Sequence, residues 1–222
     1  MTKSAQKEFV KQTKAFLVEG AKFVGKYDMP ECPCTAIEAP KSLISYVDIN
    51  KNVQYDAFAH FYIDDYKFDN IWNKPYKALE RLKHCSGVIT PDFSTYQDMP
   101  TPLKIYNTYR MRAFGYWLTT QGISVINNVR WGTPESYDYC FSGIPQNSII
   151  SIGTVGCIRE KCNWQRFNDG LEVMVKTLKP RIILVYGSAQ DKFFAKYSQE
   201  GIPIIAYPSK THLVFEKRSK HE

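Results

Sequence analysis

Along the first 26 residues, the apolar positions Phe9, Val10, Phe16, Leu17, Phe23 and Val24 recur near helical spacing with lysines between them. That pattern predicts an amphipathic helix over residues 4–26. Ser4 is placed to cap it, and Gly25 with Pro30 beyond marks its end. Three prolines and two cysteines between Met29 and Pro40 predict a loop. LISYVDI (43–49) reads as a strand, followed by a turn at Asn50–Asn52.

From residue 57 the pattern becomes a regular alternation. Apolar strands are expected at 57–63, 87–90, 123–129, 148–153, 181–186 and 202–206. Between them lie helical stretches through Trp72, Leu79 and Leu82, over Thr101–Gln121, in a short polar piece at Tyr137–Phe141, over Asn163–Leu178 and over Gln190–Glu200. The runs IILVY and IPIIA are apolar at consecutive positions, as in strands of a parallel sheet covered by helices. The expected class is α/β: a mostly parallel sheet of six or more strands in βα units, barrel-like or partly closed, plus the N-terminal helix. An open doubly wound sheet is the alternative. The expected division is an N-terminal addition (1–50), an α/β body (51–208) and a basic C-terminal tail (209–222).

Composition narrows the class further. A chain of 222 residues with 44% hydrophobic and 23% charged residues is globular rather than disordered or fibrous. No apolar run reaches the roughly 18 residues of a spanning helix, and MTKSAQKEFVKQTK has no apolar leader core. Six cysteines are too few for a disulfide scaffold, so a reducing, cytoplasmic location without membrane association is expected. The net charge of +7 is uneven: residues 1–26 contribute +4, residues 209–222 contribute +2 and the body only +1. Basic ends of this kind suit sequence-independent contact with nucleic acid, or simply solubility.

In parallel α/β sheets ligands bind beyond the carboxyl ends of the strands. The residues expected there are polar or aromatic: Asp64 and Asp65, then Asp92, then Asn128, Arg130 and Trp131, then Thr154, then Tyr186. The opposite strand ends carry turn residues such as Gly87, Gly122, Asn147, Pro180 and Gly201. Asp64, Asp65 and Asp92 are candidate catalytic residues, as acid and base or as oxygen ligands for a divalent cation. Their other reading is a helix cap and an Asx turn. Asn128 and Arg130 lie two apart and so share a side. With Trp131 as a stacking wall they suit a ligand carrying phosphate or a nucleobase, and Asp92 is the first candidate partner for Arg130. On the long helix, Asn107 and Arg110 are three apart and share a face as further ligand contacts. Cys32-x-Cys34 and Cys157-x4-Cys162 fit the spacing of paired thiolate ligands poorly. Ser188 has no evident histidine partner for a nucleophilic role.

The segments FYIDDYKFDNIW (61–72), GVITPDFSTYQDMP (87–100), IYNTYRMR (105–112), INNVRWG (126–132) and CFSGIP (140–145) resemble the domain-of-unknown-function family numbered 4417. The resemblance covers roughly residues 55–190, and it implies occurrence in bacteriophages and other mobile elements. It supports the fold and assigns no reaction. Asp64, Asp65, Asp92, Asp98, Asn107, Arg110, Asn128, Arg130, Trp131 and Thr154 fall in its motifs. Two functions are therefore expected. One is hydrolysis of a glycosidic or phosphodiester bond in a nucleotide-like substrate. The other is a non-enzymatic module that sequesters a nucleotide signal or assists DNA replication.

Overall fold

The computed structural model describes residues 3–158 and 160–210. Helix α1 (Lys3–Thr13) is followed by a 3-10 turn at Ala15–Val18 and a two-stranded hairpin of β1 (Phe23–Val24) and β2 (Met29–Pro30). The helix expected over 4–26 is therefore broken. Lys14 takes a left-handed conformation (φ 59°), and the chain turns so that Leu17 is fully buried. Tertiary burial of Leu17 overrides the helical period here, while α1 itself buries none of its residues.

The body is one parallel sheet of seven strands: β3 (Leu43–Ser45), β4 (Tyr55–His60), β5 (Cys85–Ile89), β6 (Val125–Asn128), β7 (Ile149–Gly153), β8 (Ile182–Tyr186) and β9 (Ile204–Tyr207). The crossovers carry α2 (Asn70–Asn73), α3 (Pro75–Leu82), α4 (Thr101–Thr120), α5 (Tyr137–Cys140), α6 (Trp164–Leu178) and α7 (Asp191–Gln199). The spatial order of the strands is their chain order, and every pairing is parallel. Because such connections share one hand, the crossovers stack on one face and the sheet curls into a half-barrel. A doubly wound sheet, with its reversal of strand order, is thereby excluded. The first strand, Leu43–Ser45, pairs with Phe58–His60, so the sheet begins inside residues 1–50.

Strand residues divide by alternation between two faces. Ala59, Val88, Val125, Ile150, Ile152, Ile183 and Val185 pack under the helices. Phe58, Ile89, Ile126, Ile149, Leu184 and Tyr186 fill the concave side. The two edges of the half-barrel are joined by side chains rather than by a backbone ladder. The Tyr207 hydroxyl donates to the Pro40 carbonyl, and Lys210 pairs with Asp48 at 3.1 Å. Higher up, Tyr186 of β8 stacks on Tyr62, just beyond β4, with ring centres 4.7 Å apart, and meets the His60 ring at a tilt, 4.5 Å between centres. No helix among the described residues is long and apolar enough to cross a membrane.

Candidate functional site

The loops after β4, β5, β6 and β7 meet at one rim, as the parallel topology requires. Between them and α6 opens a cleft of about 460 Å³. Its walls include Tyr62, Asp64, Ser94, Tyr96, Gln97, Trp131, Arg166 and Phe167, with Asp92, Arg130, Cys157 and Tyr186 deeper in.

The centre of the cleft is Asp92. One carboxylate oxygen accepts from Asn128 Nδ2 at 2.7 Å and the other from Arg130 Nη1 at 2.8 Å. The Arg130 and Asp92 side chains are 27% and 14% exposed. Burial works against the charged Arg130 guanidinium, but Asp92, Cys157 and Asp65 outweigh it and hold its pKa above the ordinary value. Asn128 is itself fixed from both sides. Its backbone N–H donates to Thr90 Oγ1, and its Oδ1 accepts from the Tyr62 hydroxyl at 3.0 Å. That hydroxyl also lies 2.7 Å from Ser151 Oγ. Burial, then the Asp92 charge, pushes the Tyr62 phenol well above its usual pKa, so it remains a neutral donor.

The other two aspartates sit differently. Both oxygens of Asp65 are taken by Ser94, one by its backbone N–H (3.0 Å) and one by its hydroxyl (2.7 Å). Asp65 thus ties the β4 loop to the β5 loop. Asp64 lines the cleft but is exposed, and it pairs with Lys67 at 2.7 Å. The three aspartates do not form one cluster. Among the described residues no group of three or more His, Cys, Asp or Glu is placed to hold a metal ion.

Asn107 and Arg110 lie outside the cleft. Asn107 Nδ2 donates to the Ser94 carbonyl and its Oδ1 accepts from Arg110. Arg110 pairs with Asp69 at 2.7 Å and lies 3.8 Å over the Phe93 ring. This network braces the wall that carries Ser94. Thr154 is buried and donates to the Ser188 carbonyl at 3.1 Å, clasping the ends of β7 and β8. Trp131 packs on Phe167, 5.3 Å between centres, and lies against Gly170 of α6, where an added Cβ would fall 2.0 Å from the indole. Cys32, Cys34, Cys157 and Cys162 are free thiols, and among the described residues none belongs to a group of three or more side chains placed to hold a metal ion. Cys32 is fully buried and pushed up to about 12, a thiol rather than a metal-binding thiolate.

Three contributors escape sequence reasoning. Tyr62 carries the only sequence signal, standing two residues after His60 at a strand end. Arg166 shares a helical face with Asn163 on the cleft wall, and among the described residues no ion pair includes it. Arg112 of α4 is fully buried beneath the rim and donates to the carbonyls of Ser142 (3.1 Å), Asn128 (3.2 Å) and Cys140 (2.8 Å). It thereby holds the end of β6, and burial lowers its pKa to about 10.

Fold and rim together define a parallel α/β half-barrel with a polar, aromatic-walled cleft at the carboxyl ends of its strands. The chain belongs to the family described as Domain of unknown function (DUF4417), whose model matches residues 21–208. It is 33% identical over 166 residues to the Gene 1 protein of Mycobacterium phage D29, covering 72% of this chain and 60% of that protein. It is 37% identical over 128 residues to the Gene 1 protein of Mycobacterium phage L5, covering 58% of this chain and 56% of that one. The matched region thus spans less than two thirds of either phage protein.

Proposed function

We propose that the rim cleft binds a small anionic ligand with an aromatic base, of the nucleotide class. The carrying observation is Arg166, a guanidinium without an ion-pair partner among the described residues, beside Trp131 and Phe167 on a cleft of about 460 Å³. An unpaired guanidinium matches phosphate, a flat aromatic wall matches a base, and the volume suits a ligand of that size. Asn128 is fully buried beneath the cleft and bonded to Asp92, while Arg130 lines the cleft and bonds Asp92 through Nη1 alone.

Binding without turnover is the better-supported reading. The carboxylate of Asp92 accepts on both oxygens and so does that of Asp65. Two of the roughly four lone pairs of each carboxylate are thereby spent on positioning, and a general base must aim a remaining one at the reacting proton. Hydrolysis of a glycosidic or phosphodiester bond is the second reading. It is favoured by Asp64 and Asp92 lining the same cleft, with Asp64 held only by a solvent-exposed lysine. A module of either kind in a phage-related chain fits capture of a nucleotide signal or service to DNA replication.

Thermal melts of the full chain with a panel of nucleosides and nucleotides test the binding. A nucleotide at 100 times its Kd adds roughly 2.7 kcal/mol to stability, or about 5–10 °C in a domain this size. Arg166→Gln abolishes the shift for nucleotides, whereas neutral nucleosides give none in either protein. The absence of any nucleotide shift in the wild type, or an equal shift in Arg166→Gln, overturns the reading. Product analysis after prolonged incubation then separates binding from turnover.

A further inference from the structure

A second pocket, of about 240 Å³, opens on the helical side of the half-barrel around α3 and shares no lining residue with the rim cleft. Five cations line it: Lys51, Lys67, Lys74, Lys77 and Arg81. Lys77 and Arg81 are four apart on α3 and share a face, and Lys74, the residue before the helix, lines the same pocket. Like charges at such spacing destabilise a helix. A pocket that gathers them gains nothing structurally unless an anion enters.

The acidic side chains nearby do not supply that anion. Asp48 pairs with Lys210, Asp56 with Lys41, Asp69 with Arg110 and Glu80 with Lys83. Asp64 engages Lys67 from the cleft side. Among the described residues, Lys51, Lys74 and Lys77 therefore have no ion-pair partner. Arg81 is braced against the Tyr46 ring, 5.2 Å from its centre, and donates to the Tyr46 carbonyl at 3.4 Å. A half-buried guanidinium and three exposed ammonium groups suit several phosphates in a row better than a single carboxylate.

We propose that this pocket is a second binding site, for a chain of adjacent phosphate groups such as the backbone of a single-stranded nucleic acid. The site is independent of the rim cleft and stands whether or not that cleft takes a nucleotide. It also differs from the basic ends of the chain, because its charge comes from the nearly neutral body.

The test is binding of a fluorescein-labelled 20-nucleotide single-stranded DNA to the full chain, followed by anisotropy from 50 to 200 mM salt. The double variant Lys74→Gln/Lys77→Gln changes two exposed side chains, so its melting temperature stays at or above the wild-type value. Losing two phosphate contacts lowers the slope of log K against log salt by about 1.4, and weakens binding roughly 25-fold at 0.1 M salt. The control Lys7→Gln/Lys11→Gln removes the same charge from α1, in the basic N-terminal end, and lowers both quantities by less than the pocket variant does. Competition with inorganic triphosphate identifies the source. Displacement of the DNA assigns the site to any polyphosphate, and retention of the DNA assigns it to a nucleic-acid strand. Three results overturn the proposal: neither probe binds the wild type, the pocket variant binds as the wild type does, or the α1 control loses as much as the pocket variant.

Discussion

Replacing Asp92 with Asn removes one charge from the centre of the rim and leaves its shape. Asn offers a single acceptor oxygen, so only one of the bonds from Asn128 and Arg130 survives, the other donor faces the new amide N–H2, and Arg130 keeps a guanidinium with no counterion. Breaking a fully buried pair in this way costs roughly 3–5 kcal/mol. The Arg130 side chain is 27% exposed onto the cleft, so water recovers part of that, and a loss of about 2–3 kcal/mol is expected. In a domain of this length each kcal/mol is worth about 2–4 °C, which gives a drop in Tm of about 4–12 °C. Arg130→Gln should cost less, about 1–2 kcal/mol, because Asp92 retains its bond from Asn128 and can turn its other oxygen to cleft water.

Urea unfolding of both single variants and the double variant closes a thermodynamic cycle, with an expected coupling of about 1–2 kcal/mol. Asp64→Asn is the internal comparison. Its pair with Lys67 has side chains 63% and 39% exposed, and such pairs contribute about 0–1 kcal/mol. A coupling near zero between Asp92 and Arg130, or a loss in Asp64→Asn as large as in Asp92→Asn, would refute the argument that burial sets the worth of these pairs.

Three further outcomes are expected. Burial lowers the His60 pKa from 6.5 to about 4, and its Nδ1 accepts from the Tyr62 N–H as a neutral ring. The unfolded chain therefore takes a proton that the native state refuses. The associated stability is present above pH 6.5 and falls by about 3 kcal/mol as the pH drops through that window to 4. Urea titrations at several pH values should show a shallower acid loss in His60→Gln than in the wild type; equal slopes would exclude His60 as the cause. Gly170→Ala places a methyl group against the Trp131 indole and should cost about 1–3 kcal/mol with a changed indole emission, so an unperturbed spectrum would contradict the packing. Arg112→Met takes the donor from two buried carbonyls and one part-buried one, at roughly 1–3 kcal/mol for each buried one; soluble protein with a wild-type urea midpoint would show that those bonds hold nothing.

The legible parts of this molecule were those set by local periodicity. Consecutive apolar runs separated by helical stretches specify parallel βα units, and Asn128 and Arg130 share a side because a strand alternates. Asp92 meets them because β5 and β6 are neighbours that end at the same rim. What could not be read depends on contacts between distant segments. The strand read at 43–49 forms only over Leu43–Ser45, where Phe58–His60 lies beside it, and Tyr46–Asp48 turns away in a 3-10 turn. Lys14 breaks a helix whose apolar stripe continues to Val24, because burying Leu17 and bonding the Glu19 carbonyl to Tyr116 require the turn. Arg112 reads as a surface charge until three carbonyls from two other segments converge on it. Asp65 and Asp64 are adjacent in sequence, yet one is spent on Ser94 and the other faces water, a difference that only the β5 loop decides.

The position of the cleft follows from how the half-barrel fills its own interior. In a sheet wound in one direction every βα loop reaches the same rim, so an unfilled interior would place the site on the axis. Here the axis is closed. His60 and Tyr62 from the β4 side meet Tyr186 from β8, and the Tyr62 ring passes over β7 to reach Ser151 and Asn128. That path exists because Gly153, two residues beyond Ser151 on the same face of β7, presents no side chain. A Cβ there would lie 3.1 Å from the ring. The Tyr62 hydroxyl then fixes the Asn128 amide, whose other end holds Asp92, so one ring both seals the interior and sets the floor of the cleft. With the axis filled, the remaining space lies to one side, between the ends of β5 to β7 and α6, where Trp131 and Arg166 stand. From the last two strands only Tyr186, at the end of β8, reaches the cleft lining, and no described residue following β8 or β9 does, so the chemistry gathers mainly on four of the seven strand ends.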